Sequence, residues 1–161
     1  MQLTRLGINN VRNLSDLKME CGPRVNVIYG KNVAGKTAIL ESIHLLARSN
    51  SFRTPRIMDV IQHNKEQLTV TAELQDDNKQ TITAGLEKNR ETTKIRFNGH
   101  KITKRSEQAQ NIPLLSISPD AQRLLSGTPR ERRHWLDWSM FHVEQLKMSI
   151  LIHYGEKSLR L

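Results

Sequence analysis

The sequence predicts an α/β fold organised on a phosphate-binding loop, and three observations predict it. Gly30-Lys31-Asn32-Val33-Ala34-Gly35-Lys36-Thr37 fits the pattern G-x-x-x-x-G-K-[ST]. A β-branched run, Arg24–Tyr29, precedes it, and an apolar stripe at helical spacing follows it. Alternating runs between residues 68 and 102 then describe an antiparallel β block.

Each element has a local cause. Leu3 to Val11 alternates as an opening strand, Asn13-Leu14-Ser15-Asp16 reads as a turn, and Leu17 to Glu20 alternates into a second strand. Cys21-Gly22-Pro23 breaks it. Arg24 to Tyr29 is expected to be a buried strand leading into the loop. Ile39, Leu40, Ile43, Leu46 and Ala47 mark an amphipathic helix from Thr37 to about Arg48. Its N-terminus faces the loop, where the helix dipole favours an anion.

Ser49 to Arg56 is a polar connection, and Ile57 to His63 is expected to form a short helix. Leu68–Leu74, Gln80–Leu86, Thr92–Phe97 and His100–Ile102 make the β block, with Asp76–Lys79 and Asn98-Gly99 as turns. Ser106 to Gln110 is expected to be helical, and Ile112 to Ile117 to be a buried strand. Ser118 and Pro119 suit a helix start, and Pro129 opens a longer helix with Trp135, Leu136, Trp138 and Met140 as apolar positions. The expected organisation is a nucleotide-binding lobe over residues 1–118 and the start of a helical lobe over 119–161.

The loop residues have separate tasks. Gly30 and Gly35 let backbone N–H groups close on phosphate oxygens, with Lys31, Asn32, Val33 and Ala34 completing the turn. Lys36 brings a positive charge to the β- and γ-phosphates of ATP, and Thr37 offers its hydroxyl to Mg²⁺. Val33 is unusual. If its φ is positive, a β-branched side chain there is strained, and the loop relaxes or binds nucleotide more weakly.

The 161 residues hold 25 Lys and Arg against 16 Asp and Glu, a net charge of +9 that suits a polyanionic partner such as DNA. Arg53, Arg56, Lys101, Lys104, Arg105, Arg132 and Arg133 are the candidate DNA contacts, from a basic set that also holds Lys88, Arg90, Lys94 and Arg96. Cys21 is the single cysteine, so no intrachain disulfide framework is possible. The six histidines show no metal-ligand spacing. No apolar run reaches about 18 residues, so no membrane partner is expected, and the expected location is the cytoplasm.

Strands preceding so early a loop suggest an ABC-type ATPase head: a Rossmann-like lobe with an antiparallel β block, then the start of a helical second lobe. The order of motifs resembles the RecF family. Val11-Arg12-Asn13 closes a similar first strand, and Gly30 to Thr37 matches G-x-N-G-x-G-K-T with Val33 in place of Gly. Leu40-Glu41-Ser42-Ile43 and Ser51-Phe52-Arg53-Thr54 are similar blocks. The most specific is Pro119-Asp120-x-x-x-Leu124-Leu125-x-Gly127-Thr128-Pro129-x-x-Arg132-Arg133-x-Trp135-Leu136-Asp137.

The resemblance covers about residues 1–145. It implies ATP and Mg²⁺ as cofactors and an ATP-dependent homodimer. It also implies binding to single-stranded and duplex or junction DNA, and work with RecO- and RecR-type mediators to load recombinase at gaps in the SOS response. By position, Arg12 is expected to reach the phosphates. The family's ABC signature and Walker B strand are not found, so the chain is expected to be a fragment, a truncated product or an aberrant frame end, with hydrolysis in doubt. Two other classes remain open: a nucleic-acid-binding module with an idle loop, and a transporter ATPase subunit.

Overall fold

The computed structural model describes residues 1–117 together with Thr128 and Arg133. The chain divides into two compact units, Met1–Leu114 and Leu115–Leu161. The first is a six-stranded sheet covered on one face by a helix, with strand order β2-β1-β3-β4-β5-β6 and every pairing antiparallel.

The strands are β1 (Gln2–Val11), β2 (Leu14–Glu20), β3 (Gln67–Gln75), β4 (Thr81–Asn89), β5 (Thr93–Phe97) and β6 (His100–Ile102). Their register explains the alternation in sequence. Leu17, Ile8, Val70, Leu86, Ile95 and Ile102 are successive partners in one row across all six strands. Ile8, Val70 and Leu86 in that row are almost wholly buried. The next outward-facing row runs Lys18, Gly7, Thr71, Gly85, Arg96 and Lys101. A side chain's period of two thus separates a core face from a polar face.

Helix α1 (Lys36–Arg48) covers the core face, packing on β1, β3 and β4. Ala38, Leu45, Leu46 and Ala47 are its buried apolar positions. It ends at Ser49, whose φ of 58° is left-handed, and the Ser49 amide donates to the Leu45 carbonyl at 2.7 Å. Helix α2 (Arg105–Asn111) packs on α1 and β6. The buried Gln108 amide donates to the Leu46 carbonyl at 2.7 Å, and Ser49 Oγ donates to Gln108 Oε1 at 2.9 Å. One side chain therefore satisfies a carbonyl that the end of α1 leaves open.

Four expectations are corrected. Arg24–Tyr29 joins no ladder, and Val25, Val27 and Tyr29 are 80%, 76% and 89% exposed. β-branched residues favour extended backbone, but a strand also needs a neighbour, and the described residues supply none. The helix expected over Ile57–His63 is a 3₁₀ turn at Ile57–Asp59; Val60 and Ile61 then turn inward, and Ile61 bridges Val11. Over Ile112–Ile117 only Ile112 is buried, while Leu115 and Ile117 are 62% and 82% exposed. The first hairpin turns at Arg12-Asn13, with Val11 opposite Leu14, so β2 begins earlier than expected. The helices expected from Pro119 and Pro129, with Trp135 and Trp138, lie outside the described residues.

Candidate nucleotide site

The Gly30–Thr37 loop closes against the N-terminus of α1. Gly30 has φ 147° and Gly35 φ 93°, backbone regions that favour glycine. Gly35 also has no room for a side chain, since a Cβ there would lie 2.7 Å from Leu14 Cδ2 and 3.2 Å from Asn13 Oδ1. Gly35 is the N-cap residue, with no side-chain cap, and the first turn of α1 contains no acidic residue. The helix therefore presents open N–H groups and its positive pole without an intrinsic counter-anion.

Lys36 Nζ donates to the carbonyls of Gly30 and Lys31, at 2.8 Å each. The ammonium is thus folded onto the loop, held by weak acceptors that a phosphate oxygen would outcompete. Lys31, Asn32, Val33, Ala34 and Thr37 are exposed, and the Ala34 amide points at the Lys31 carbonyl, 3.3 Å away. Thr37, the second residue of α1, is exposed, and its hydroxyl suits a Mg²⁺ shared with phosphates. A polyphosphate with a hard cation fits these groups.

Val33 has φ 68°, so the strain foreseen for a β-branched residue is present in the backbone. An L-residue in this region costs roughly 1–2 kcal/mol. Asn13 Nδ2 donates to the Val33 carbonyl at 2.8 Å, a bond of about the same order, 0.5–1.5 kcal/mol. Asn13 has no role in the motif pattern; its signal in the sequence is only its place beside Arg12 at the hairpin tip.

Arg12 is engaged elsewhere. Its Nε donates to Glu41 Oε2 at 3.0 Å, its Nη2 to Glu41 Oε1 at 2.8 Å, and its Nη1 to the Asp59 carbonyl. Glu41 is fully buried on α1, also accepts from Ser51 Oγ, and lies 3.8 Å from Arg53 Nη1. Burial alone would raise the Glu41 carboxyl, but the bonds from Arg12 and Ser51 and the two guanidinium charges outweigh it and hold the pKa below the ordinary value. The bond to Glu41 raises Arg12 in turn. The sequence stripe of Ile39, Leu40 and Ile43 did not mark this hub, because the face that α1 buries runs through Ala38, Glu41, Ser42 and Leu45, and Leu40 is exposed.

Of the candidate DNA contacts, Arg53 is half exposed beside Glu41, and Arg56 is exposed in the following turn. Lys101, Lys104 and Arg105 are exposed and close together in sequence where β6 leads into α2. Arg133 is exposed, and Arg132 lies outside the described residues. Lys88 is drawn inward to the Ser49 carbonyl, its pKa lowered by burial and then by Arg105, and Lys94 pairs with Glu87 at 2.8 Å. A concavity of about 760 Å³ lies on the outer sheet face between Arg5, Lys18, Glu73 and Arg96. It is far from suited to phosphate, because the ladder there uses the backbone amides and Glu20 and Glu73 flank Arg5. Among the described residues no cluster could hold a metal ion by protein ligands alone, and no helix is long and apolar enough to cross a membrane.

Residues 2–159 match the family described as the RecF/RecN/SMC N terminal domain. The chain is 40% identical over 146 residues to the DNA replication and repair protein RecF of Azotobacter vinelandii, covering 90% of this chain and 40% of that protein. It is 42% identical over 146 residues to RecF of a Marinomonas species, with the same coverage. It therefore spans about 40% of the length of these curated relatives. In three dimensions it is similar to the recombination mediator RecF–ATP of the RecFOR pathway, with TM-score 0.82, 25% identity, and coverage of 96% of this chain and 42% of that one. The SMC head domain of Thermotoga maritima, at TM-score 0.59 and 18% identity over 81% of this chain and 52% of that one, shares the fold. The fold is thus that of an α/β ABC-type ATPase head, and the chain belongs to the RecF/RecN/SMC N-terminal domain family.

Proposed function

We propose that this chain binds ATP with Mg²⁺ at residues 30–37 and forms the nucleotide-binding part of a RecF-type DNA replication and repair protein. The observation that carries the proposal is Lys36. Its ammonium rests on the Gly30 and Lys31 carbonyls at the uncapped, acid-free start of α1, where a phosphate would replace two neutral acceptors. The similarity to a RecF–ATP structure supports the choice of nucleotide.

In this role Lys36 neutralises the β- and γ-phosphates, the loop amides receive their oxygens, and Thr37 takes one position on Mg²⁺. Bound Mg²⁺ supplies charge neutralisation between the phosphates. The whole protein acts on single-stranded and duplex or junction DNA in the cytoplasm, as an ATP-dependent homodimer working with RecO- and RecR-type mediators to load recombinase. The basic surface and the RecF relatives support that assignment.

The strained Val33 favours one rival, a nucleic-acid-binding module whose loop is idle. Calorimetric titration with ATP·Mg²⁺ separates the two. Binding by the unaltered chain that is lost in Lys36→Ala, with the urea midpoint unchanged, is the expected result. An unchanged affinity in Lys36→Ala would sink the loop assignment, and heat appearing only in Val33→Gly would favour the idle module.

A further inference from the structure

We propose that Asn13 is a positioning residue of the nucleotide loop, aiming the Ala34 amide inward by holding the Val33 carbonyl. The inference rests on the nucleotide-binding reading of residues 30–37.

The geometry follows from the planar peptide. The Val33 carbonyl and the Ala34 amide belong to one trans peptide unit, so they point in opposite directions. Asn13 Nδ2 holds the carbonyl oxygen at 2.8 Å from the hairpin side. The Ala34 amide is thereby directed the other way, toward the Lys31 carbonyl at 3.3 Å. That carbonyl also accepts from Lys36 Nζ, so the amide points to the place where the lysine waits. Without Asn13, Val33 could leave its φ of 68° for the ordinary negative region, and the peptide would rotate.

Asn13 is itself fixed on both sides. Arg12 is tied by its guanidinium to the buried Glu41 and by its amide to the Val60 carbonyl at 2.7 Å. Leu14 and Asn13 together fill the space where Gly35 would otherwise bear a Cβ. The first hairpin and the loop therefore meet at Gly35, and the side-chain amide one residue before Leu14 is placed to grip Val33. A glycine at position 33 would take the same φ without a steric penalty, so the need for Asn13 is tied to valine.

The test is a double-mutant cycle of Asn13→Ala and Val33→Gly in the full chain, read by ATP·Mg²⁺ calorimetry and by ¹⁵N order parameters of residues 31–35 without nucleotide. Asn13→Ala alone is expected to weaken binding about tenfold, one ordinary hydrogen bond converted to affinity, and to lower the order parameters at Val33 and Ala34. In the Val33→Gly background the same change is expected to cost no more than about twofold, since the strain it opposes is gone. Equal losses in both backgrounds, or unaltered order parameters in Asn13→Ala, would overturn the proposal. If the unaltered chain binds no ATP while the order parameters still depend on Asn13, the positioning role stands and the nucleotide reading fails.

Discussion

Arg12 and Glu41 form a two-pronged ion pair, Nε to Oε2 at 3.0 Å and Nη2 to Oε1 at 2.8 Å, with Glu41 wholly removed from solvent. It joins the tip of the first hairpin to the middle of α1, and through Ser51 and Arg53 it ties in the connection that follows the helix. Paired guanidinium and carboxylate planes match in shape, which is why arginine and not lysine suits this position.

Arg12→Ala is expected to destabilise the fold by about 3–5 kcal/mol, because it leaves a buried carboxylate without its main partner. The Glu41 contribution to the pH dependence changes sign. In the unaltered chain the Glu41 pKa is lowered, so its stabilisation is present above the unfolded value and is lost as pH falls through the folded one. Without Arg12, burial is opposed only by Ser51 and Arg53, so the carboxyl is expected to be raised and the variant's deficit relative to the unaltered chain to shrink on acidification from pH 7. Urea unfolding from about pH 7 to 5 checks this, and the double variant Arg12→Ala/Glu41→Ala is expected to recover part of the loss.

Gln108 supports the far end of the same helix. Gln108→Leu leaves the Leu46 carbonyl and the Ser49 hydroxyl without their partner, at an expected cost of about 1–3 kcal/mol. Gln110→Leu, at an exposed position of α2, is the control and is expected to stay within about 0.5 kcal/mol. Equal urea midpoints for the two variants would refute this account of how α1 ends.

His44 sets a separate pH response. It is 8% exposed, edge-on to Phe52 with ring centroids 5.3 Å apart, and its Nδ1 has no partner. Burial and then the Arg48 charge lower its pKa, so the folded chain binds fewer protons than the unfolded chain below the unperturbed value of 6.5. Stability is therefore unaffected above that value and falls as pH drops below it. Between about pH 7.5 and 5.5 the unfolding free energy of the unaltered chain is expected to fall, and the fall is expected to be smaller in His44→Leu. Parallel curves for the two proteins would exclude His44 as the source.

The sequence made some of this legible, and the reasons differ by element. The β block could be read because one face is buried, so Leu68, Val70, Ala72 and Leu74 alternate with polar neighbours. The loop could be read because its pattern is local: both glycines, Lys36 and Thr37 fall within eight consecutive residues, Gly30–Thr37. Arg24–Tyr29 misled because composition reports extended backbone, whereas a ladder depends on a partner elsewhere in the chain. Asn13 and Glu41 stayed hidden for another reason. Their contacts join residues 20 and 29 positions apart, and no local period encodes such a meeting.

DNA affinity, where this chain supplies it, is expected to draw on Lys101, Lys104 and Arg105 more than on the rest of the β-block basic set. The three are exposed and fall within five residues of sequence, at the passage from β6 to α2. Two other members of that set are compromised as donors. Lys88 is turned onto the Ser49 carbonyl with a lowered pKa, and Lys94 is neutralised by Glu87. Each basic residue that meets a phosphate releases counterions, giving a slope of log K against log salt near −0.9 per contact on duplex DNA. Lys101→Ala/Lys104→Ala/Arg105→Ala is therefore expected to reduce the magnitude of the slope by roughly 2–3. Lys94→Ala is expected to leave it almost unchanged, since the freed Glu87 adds repulsion but removes no contact. Neither variant is expected to alter preference between two duplexes of unrelated sequence, because phosphate contacts carry no base information. Fluorescence anisotropy from about 50 to 200 mM salt measures all three quantities. A slope that survives the triple substitution would move the DNA contact away from this corner of the sheet.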